Sequence, residues 1–533
     1  MSRILLAVPA LFPLGVGMAM LIWNHLAAAG VRGKALSMDG ETVELSAEEY
    51  RHLEFFVGAV TAANSLLVCF LIWKNAGSGQ QMVLFRLYGN LRVSFKLDGM
   101  GSVFAGLVAC LWPLAVLYSF EYMRHEKRKT SFFAYYLMTY GVTVGIAFAG
   151  NLVTLYLFYE LLTLVTFPLV LHPMTKEAAR ASRRYLYYSI GGAAFAFIGL
   201  VFVLSFSSTG NTDFLPGGVL NLAAAAERKD TLLLIYVLAF FGFGVKAAVF
   251  PCHGWLPRAT VAPTPVTALL HAVAVVKSGA FAILRLTYFS FGTAFLRGSW
   301  AQAVVMAAAL VTIVFGSTMA VREVHWKRRL AYSTISNLSY ILFGATMMSP
   351  FGLLAALSHM VFHGVMKICS FFCAGAVMHQ TGKEYIYEVD GLGKRMPVTF
   401  GCLTVASLSL IGIPLFAGFI SKWNLAEAAF ACGEAAFTAV GGSASGWLPF
   451  AGIFVLLYSA LMTAVYMLTV LVRAYFPQTE GAAAVMVRDG KEERDPNWLM
   501  LIPLLLFAAA IVGLGLHSAP LLRVLAAIGG EAG

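Results

Sequence analysis

Apolar runs of about twenty residues, separated by short polar stretches, recur along most of the chain. A helix of about 20 residues at 1.5 Å each covers the roughly 30 Å hydrocarbon core of a bilayer. The pattern predicts fourteen spans, over residues 4–27, 54–73, 102–121, 131–149, 151–171, 184–206, 231–250, 264–288, 301–320, 329–348, 351–378, 399–420, 449–474 and 499–517. The first has no small-residue cleavage site before the acidic loop that follows, so it reads as a retained span. One stretch departs from the pattern. Residues 81–99 alternate apolar and polar side chains around Gly89-Asn90, which predicts a hairpin near 82–98 at one membrane surface.

Two spans are interrupted. Between residues 232 and 286, Pro251, Pro257, Pro263 and Pro265 separate two apolar helices. A proline within a span frees backbone carbonyls that must find partners in protein or water. Span twelve repeats the device with Gly412-Ile413-Pro414 and Gly418. Spans seven and twelve are each the fourth member of a set of five, and interrupted helices at matching positions predict an internal repeat with the ion path at the breaks. The expected organisation is a three-helix N-terminal segment with the hairpin (1–130), a first repeat (131–290, helices 4–8), a second repeat (300–475, helices 9–13), and a loop with a final helix (476–533).

Composition agrees with this reading. Hydrophobic residues make up 59% of the 533 and charged residues 12%, against about a quarter charged in a soluble domain. The fold class expected is an all-α, multi-pass membrane protein. A net charge of +11 could suggest nucleic acid, but 23 of the 37 lysines and arginines lie in loops after odd-numbered spans and ten at the termini and other loops. That asymmetry is a topology signal. It places the chain in the cell (cytoplasmic) membrane with both termini on the outer side, and no nucleic-acid partner is expected. The clusters at 124–129, 176–184 and 322–329 serve topology first and contacts with lipids or partner subunits second. The seven cysteines form no CxxC pair, and no metal, haem or iron–sulfur ligand set is present in the sequence. No cofactor is expected.

Four lysines remain inside spans: Lys246, Lys277, Lys367 and Lys422. Each costs about 2.5–3.5 kcal/mol at the bilayer centre on insertion scales. Glu160 is the one acid at mid-span. Out of water a lysine holds its proton less firmly, and a nearby carboxylate restores its hold, so a Glu–Lys pair can act as a proton switch. The competing reading is a static buried pair that fixes packing. Five mid-span charges weigh against it. His359, His363 and Lys367 follow at i, i+4 and i+8, drifting by only about 80° and forming a stripe about 12 Å long. Histidine titrates near neutrality and suits a proton relay. His271 precedes Lys277 by six residues, about 120° around a regular helix. His253 beside Pro251 reads equally as a capping or interfacial residue.

The stretch FGFGVKAAVFPCHGWLPRATVAPTPVTALLHAVAVVKSGAFAILR resembles the signature of the proton-conducting antiporter-like subunits. These occur in respiratory complex I, Mrp-type cation/proton antiporters and energy-converting membrane hydrogenases. FKLDGMGSVFAGLVACLWPLAVLYSFEYM, LYLFYELLTLVTFPLV, WKRRLAYSTISNLSYILFG, HMVFHGVMKICSFFCAGAVMHQTG and GIPLFAGFISKWN agree, so the resemblance runs from about Lys96 to Lys422. It implies fourteen helices with two inverted five-helix repeats, 4–8 and 9–13, and broken helices 7 and 12. The family's Glu–Lys pair falls on Glu160 and Lys246, its central lysine on Lys277, and its relay positions on His271, His359, His363 and Lys367. Lys422 takes the ionisable position at the second break. The chain stops soon after span fourteen, without the lateral helix of the largest complex I relative, and it keeps Lys277. Both features favour the middle-type complex I subunits, an Mrp D-type subunit or a hydrogenase relative.

The expected function is translocation of protons, or Na⁺/H⁺ exchange, along this relay. Expected partners are sibling antiporter-like subunits and a hydrogenase or quinone-reductase module. Nothing in the sequence binds NADH or quinone, so any oxidoreductase activity belongs to the assembly. Two alternatives stand beside it: a non-conducting structural subunit, and a stand-alone transporter of an organic solute, which would need a midplane cavity of about 300 Å³ or more.

Overall fold

In the computed structural model of the chain, residues 3–31, 45–75, 79–438, 446–477 and 493–532 are described. They form a helical membrane bundle. Among the described residues, ten helices are long and apolar enough to cross a membrane, from the N-terminal helix Val8–Val31 to Trp498–Leu516. The other predicted intervals are occupied by shorter or more polar helices: Lys129–Ala147, Lys229–Gly244, Trp326–Thr346, and Pro397–Ile411 with Ala417–Thr438. The stretch Thr264–Phe291 and the helix Pro350–Thr381 are buried along almost their whole length, whereas most of their neighbours are about half buried or less. Those two form the centre of the bundle.

Both expected interruptions are present. Regular helix stops at Gly244, gives way to successive turns across the prolines, and resumes at Thr264 with Pro265 in the first turn, where a missing N–H does no harm. The second helix ends on Gly412 (φ 94°), turns through Leu415 (φ 79°) and restarts at Ala417. The left-handed backbone at Gly412 is what a glycine at that position permits. By contrast the long helix Pro350–Thr381 is unbroken. Ser349 caps it by accepting from Gly352 N–H at 3.0 Å, Pro350 opens it, and left-handed Gly382 ends it.

Three features differ from the sequence expectation. The stretch holding His271 and Lys277 is two helices, Thr264–Ala272 and Val275–Leu284. The carbonyl of Leu269 accepts from both Val273 N–H (3.0 Å) and Ala274 N–H (2.8 Å), which consumes one acceptor twice and opens the ladder. The regular-helix angle between the two side chains therefore does not apply. Arg285, counted among loop residues by the charge pattern, begins a π-helical turn, Arg285–Phe291, and is fully buried. Beyond residue 517 the chain forms a further helix, Ala519–Ala532, whose Ile528 packs against Gly99.

The hairpin pairs Gln81–Tyr88 with Leu91–Lys96 around Gly89 (φ 53°). It is tied to the helix that carries Glu160. Asn151 caps that helix, accepting from Thr154 N–H at 2.8 Å, and its amide donates to Arg92 O and Ser94 Oγ, both at 2.9 Å. Ser94 N–H in turn donates to Thr154 Oγ1 at 2.8 Å. The hairpin thus holds the start of Leu152–Leu171 in register.

Candidate functional site

Glu160 projects from Leu152–Leu171, and Lys246 from the turn just past Gly244. Their charged atoms stand 3.9 Å apart, with Lys246 fully buried and Glu160 partly exposed. Lys246 Nζ also donates to the backbone carbonyl of Tyr159 and lies 3.4 Å from the centroid of that residue's ring. The Tyr159 hydroxyl donates to Phe243 O at 3.0 Å, which ties the Glu160 helix to the end of the broken one. The lysine thus meets a carboxylate, a carbonyl and a π-face together.

A second group centres on Lys277. Its Nζ lies 2.6 Å from His363 Nδ1, and both side chains are fully buried. The His363 and His359 rings follow at 5.8 Å between centroids, and His359 Nδ1 is 2.9 Å from Ser421 Oγ. Tyr340 packs on His359 at 5.0 Å and receives Lys422 Nζ at 5.6 Å from its ring centroid. Lys422 closes the row by donating to Leu410 O (2.7 Å) and Ile411 O (3.0 Å), the last carbonyls of the helix that ends at the second break. Lys367, one turn beyond His363, donates to Ser333 Oγ at 2.7 Å, and that hydroxyl contacts Tyr466 OH at 2.7 Å.

The two groups approach through backbone rather than side chains. A Cβ at Gly279 would stand 2.5 Å from Ala247 N and 2.9 Å from the Lys246 carbonyl carbon. His271 stands apart. Its ring contacts Phe371 at 4.9 Å, and among the described residues neither ring nitrogen has a hydrogen-bond partner. The same holds for His359 Nε2, His363 Nε2, Ser278 Oγ, Ser339 Oγ and Tyr340 OH. These histidine, serine and tyrosine side chains are buried with Lys277 and Lys367. His253 stacks with Phe250 at a centroid distance of 5.5 Å and meets Phe315 at a tilt at 4.4 Å.

Several partners carry no signal in the sequence. Tyr159, Ser333, Ser421 and Tyr466 hold the lysines and histidines, yet hydroxyls scattered through apolar helices follow no telling spacing. Asp98 caps Gly99–Tyr122 and grips Arg285 through two 2.6 Å bonds. Among the described residues, no group of three or more His, Cys, Asp or Glu side chains is arranged to hold a metal.

Residues 149–447 match the family described as NADH:quinone oxidoreductase/Mrp antiporter, TM. The chain belongs to this family. Residues 88–133 also match the NADH-ubiquinone oxidoreductase (complex I) chain 5 N-terminus. Among the antiporter-like relatives, the NADH-quinone oxidoreductase subunit N of Desulforudis audaxviator is 31% identical over 434 residues, covering 80% of this chain and 82% of that one. The A-type subunit of a Na(+)/H(+) antiporter from Alkalihalophilus pseudofirmus is 33% identical over 352 residues, covering 62% of this chain. The match spans only 42% of that longer relative's length. Two solved structures share the fold over the whole chain. They are from the membrane-bound sulfane sulfur reductase, an archaeal respiratory membrane complex (TM-score 0.79, 23% identity), and the Mrp complex of Dietzia sp. DQ12-45-1b (TM-score 0.77, 20% identity). Each likeness covers 98% of the other chain. The protein is a multi-pass membrane protein with the fold of these antiporter-like subunits.

Proposed function

We propose that the chain is an ion-translocating membrane subunit that moves protons, or exchanges Na⁺ for H⁺, through the row Glu160–Lys246, Lys277–His363–His359 and Lys422, with Lys367 and His271 beside it. The observation that carries this reading is the Lys277–His363 contact of 2.6 Å. Lys277, Lys367, Lys422, His271, His359 and His363 lie in or beside this row, all fully buried except the partly buried Lys422, and among the described residues none of these six has a carboxylate within ion-pair distance. A proton on one member repels a proton on the next, with little water to screen the charge. Such a cluster passes a proton along more readily than it stores several. Glu160, partly open to its surroundings, is the acid that can hold or release Lys246.

Two inverted repeats, 131–290 and 300–475, account for a lysine at each helix break. The basic loops support a cytoplasmic-membrane location with both termini outside. The relatives' names support partnership with further membrane subunits of a complex I, Mrp or hydrogenase-like assembly, which supplies any redox chemistry. A packing role for the Glu160–Lys246 pair is the second reading, favoured by the bond from Lys246 to the Tyr159 carbonyl. The two are separated by measuring complex abundance and proton translocation in the same vesicles. Lys246→Ala and Glu160→Gln should keep assembly and lower translocation severalfold or more. Assembly lost in both, and restored with pumping in Glu160→Gln/Lys246→Met, would make the pair structural. Varying Na⁺ in the same vesicles distinguishes the two ions.

A further inference from the structure

Away from the lysine row, the helix Lys176–Ser205 borders two cavities that share Tyr187 and Tyr188. The first, about 920 Å³, is walled by five arginines (180, 183, 184, 258 and 328) and two glutamates. Both acids are engaged: Glu177 pairs with Arg328 at 3.0 Å, and Glu323 accepts from His325 N–H at 3.1 Å. Arg180 and Arg183 each turn one Nε to a carbonyl of their own helix. Among the described residues, Arg184 and Arg258 have no carboxylate partner, and both are exposed. The cavity therefore presents excess positive charge in the fork geometry that suits phosphate oxygens.

The second cavity, about 580 Å³, is apolar. Gly191, Gly192, Phe195, Leu238 and Phe241 line it together with Pro251 and Cys252. Phe195 lies eleven residues past Arg184, about 16 Å down the helix. An arginine-lined head and an apolar trough thus share one wall and follow one another along the helix Lys176–Ser205. Both volumes fall within the roughly 300–1,000 Å³ of small-molecule sites.

We propose that this composite groove binds one anionic phospholipid, its phosphate against Arg184 and Arg258 and an acyl chain in the trough beside Val245 and Pro251. Charge complementarity selects an anion, and the continuous apolar trough selects a lipid over a soluble phosphate. A lipid there rests on the unwound segment next to Lys246. The inference rests on the chain spanning a membrane but not on its moving ions, and its readout is independent of transport.

The test is native mass spectrometry of the purified protein in detergent, with phosphatidylglycerol or phosphatidylcholine added. Phosphatidylglycerol should remain bound more firmly than phosphatidylcholine. In Arg184→Gln/Arg258→Gln that retention should fall at least about tenfold, as loss of two charge-assisted contacts implies. Gly191→Leu offers a second route, since nothing lies within 4 Å of a Cβ there. It should fill the trough and displace the lipid without changing charge. Equal retention of both lipids, or unchanged phosphatidylglycerol in either variant, would overturn the proposal. So would competition by inorganic phosphate together with an unaffected Gly191→Leu, which would mark a soluble-anion site. Loss of an acidic polypeptide rather than a lipid from the arginine variant would mark a protein interface instead.

Discussion

Each of the two helix breaks presents a lysine, and they stabilise it by different means. Lys246 at the first break has a carboxylate 3.9 Å away, a carbonyl from a neighbouring helix and an aromatic face. Lys422 at the second has no carboxylate within ion-pair reach among the described residues. It rests on Leu410 O and Ile411 O, where the partial negative charge of a helix end collects. A side-chain acid can gain or lose a proton, so the first site can be switched chemically. Helix-end carbonyls cannot titrate. The second site changes its hold on the lysine only if the backbone of the break moves.

The largest expected effect comes from removing the lysine that stands between the two sites along the proposed row. Lys277→Ala should lower proton translocation by more than about tenfold, a barrier increase above about 1.4 kcal/mol. The complex should still assemble, which blue-native gels on the assayed vesicles would show. Retained pumping would mean that the two breaks do not communicate through Lys277. Glu160→Gln tests the chemical switch. Translocation should fall severalfold while Lys246 stays in place, and the same assay with Lys246→Ala should give no less a loss. If Glu160→Gln pumps normally, Lys246 is held by the Tyr159 contacts alone and the difference between the sites disappears.

Gly412→Ala tests the mechanical site. Its φ of 94° suits glycine, and an added Cβ would stand 3.0 Å from Lys422 Cδ. A destabilisation of about 1 kcal/mol or more is expected, read by thermal unfolding, together with slower translocation. Unchanged transport would separate the helix end from function. The smallest effect should come from a pair outside the spans. Glu384 sits 3.5 Å from His325, and the hydrogen bond from that histidine holds its carboxyl below the usual carboxylate range. Because the folded value is depressed, the contribution is present at neutral pH and is lost as pH falls through that lowered value. With Glu384 half exposed, the pair should contribute less than about 1 kcal/mol, so Glu384→Gln should lower the unfolding midpoint slightly at pH 7 and not at all in acid. A large effect there would mean that exposed and buried pairs in this protein do not differ as burial demands.

Much of the site is legible in the sequence because membranes make it so. In a medium that excludes charge, every mid-span lysine, histidine or acid stands out, and a proline within an apolar run announces a break. The His359–His363–Lys367 stripe survives intact because its helix is regular over 32 residues. The break at Val273–Ala274 is not legible, since neither proline nor glycine marks it and the cause is a carbonyl shared by two donors. Arg285 misleads for a related reason. It lies near the end of an apolar run, where a charge normally reaches water, and its distant partner Asp98 decides otherwise. The hairpin is visible as alternation, but its docking on Asn151 depends on contacts about 60 residues apart in sequence.

The bare approach at Gly279 has a mechanical consequence. Where two elements meet through side chains, rotamers absorb part of any displacement. Here Ala247 N and the Lys246 carbonyl carbon would crowd even a methyl group on the facing helix. A shift of the Lys246 turn toward that helix must therefore push it bodily, carrying Lys277 two residues away. The contact works as a pushrod rather than a spring.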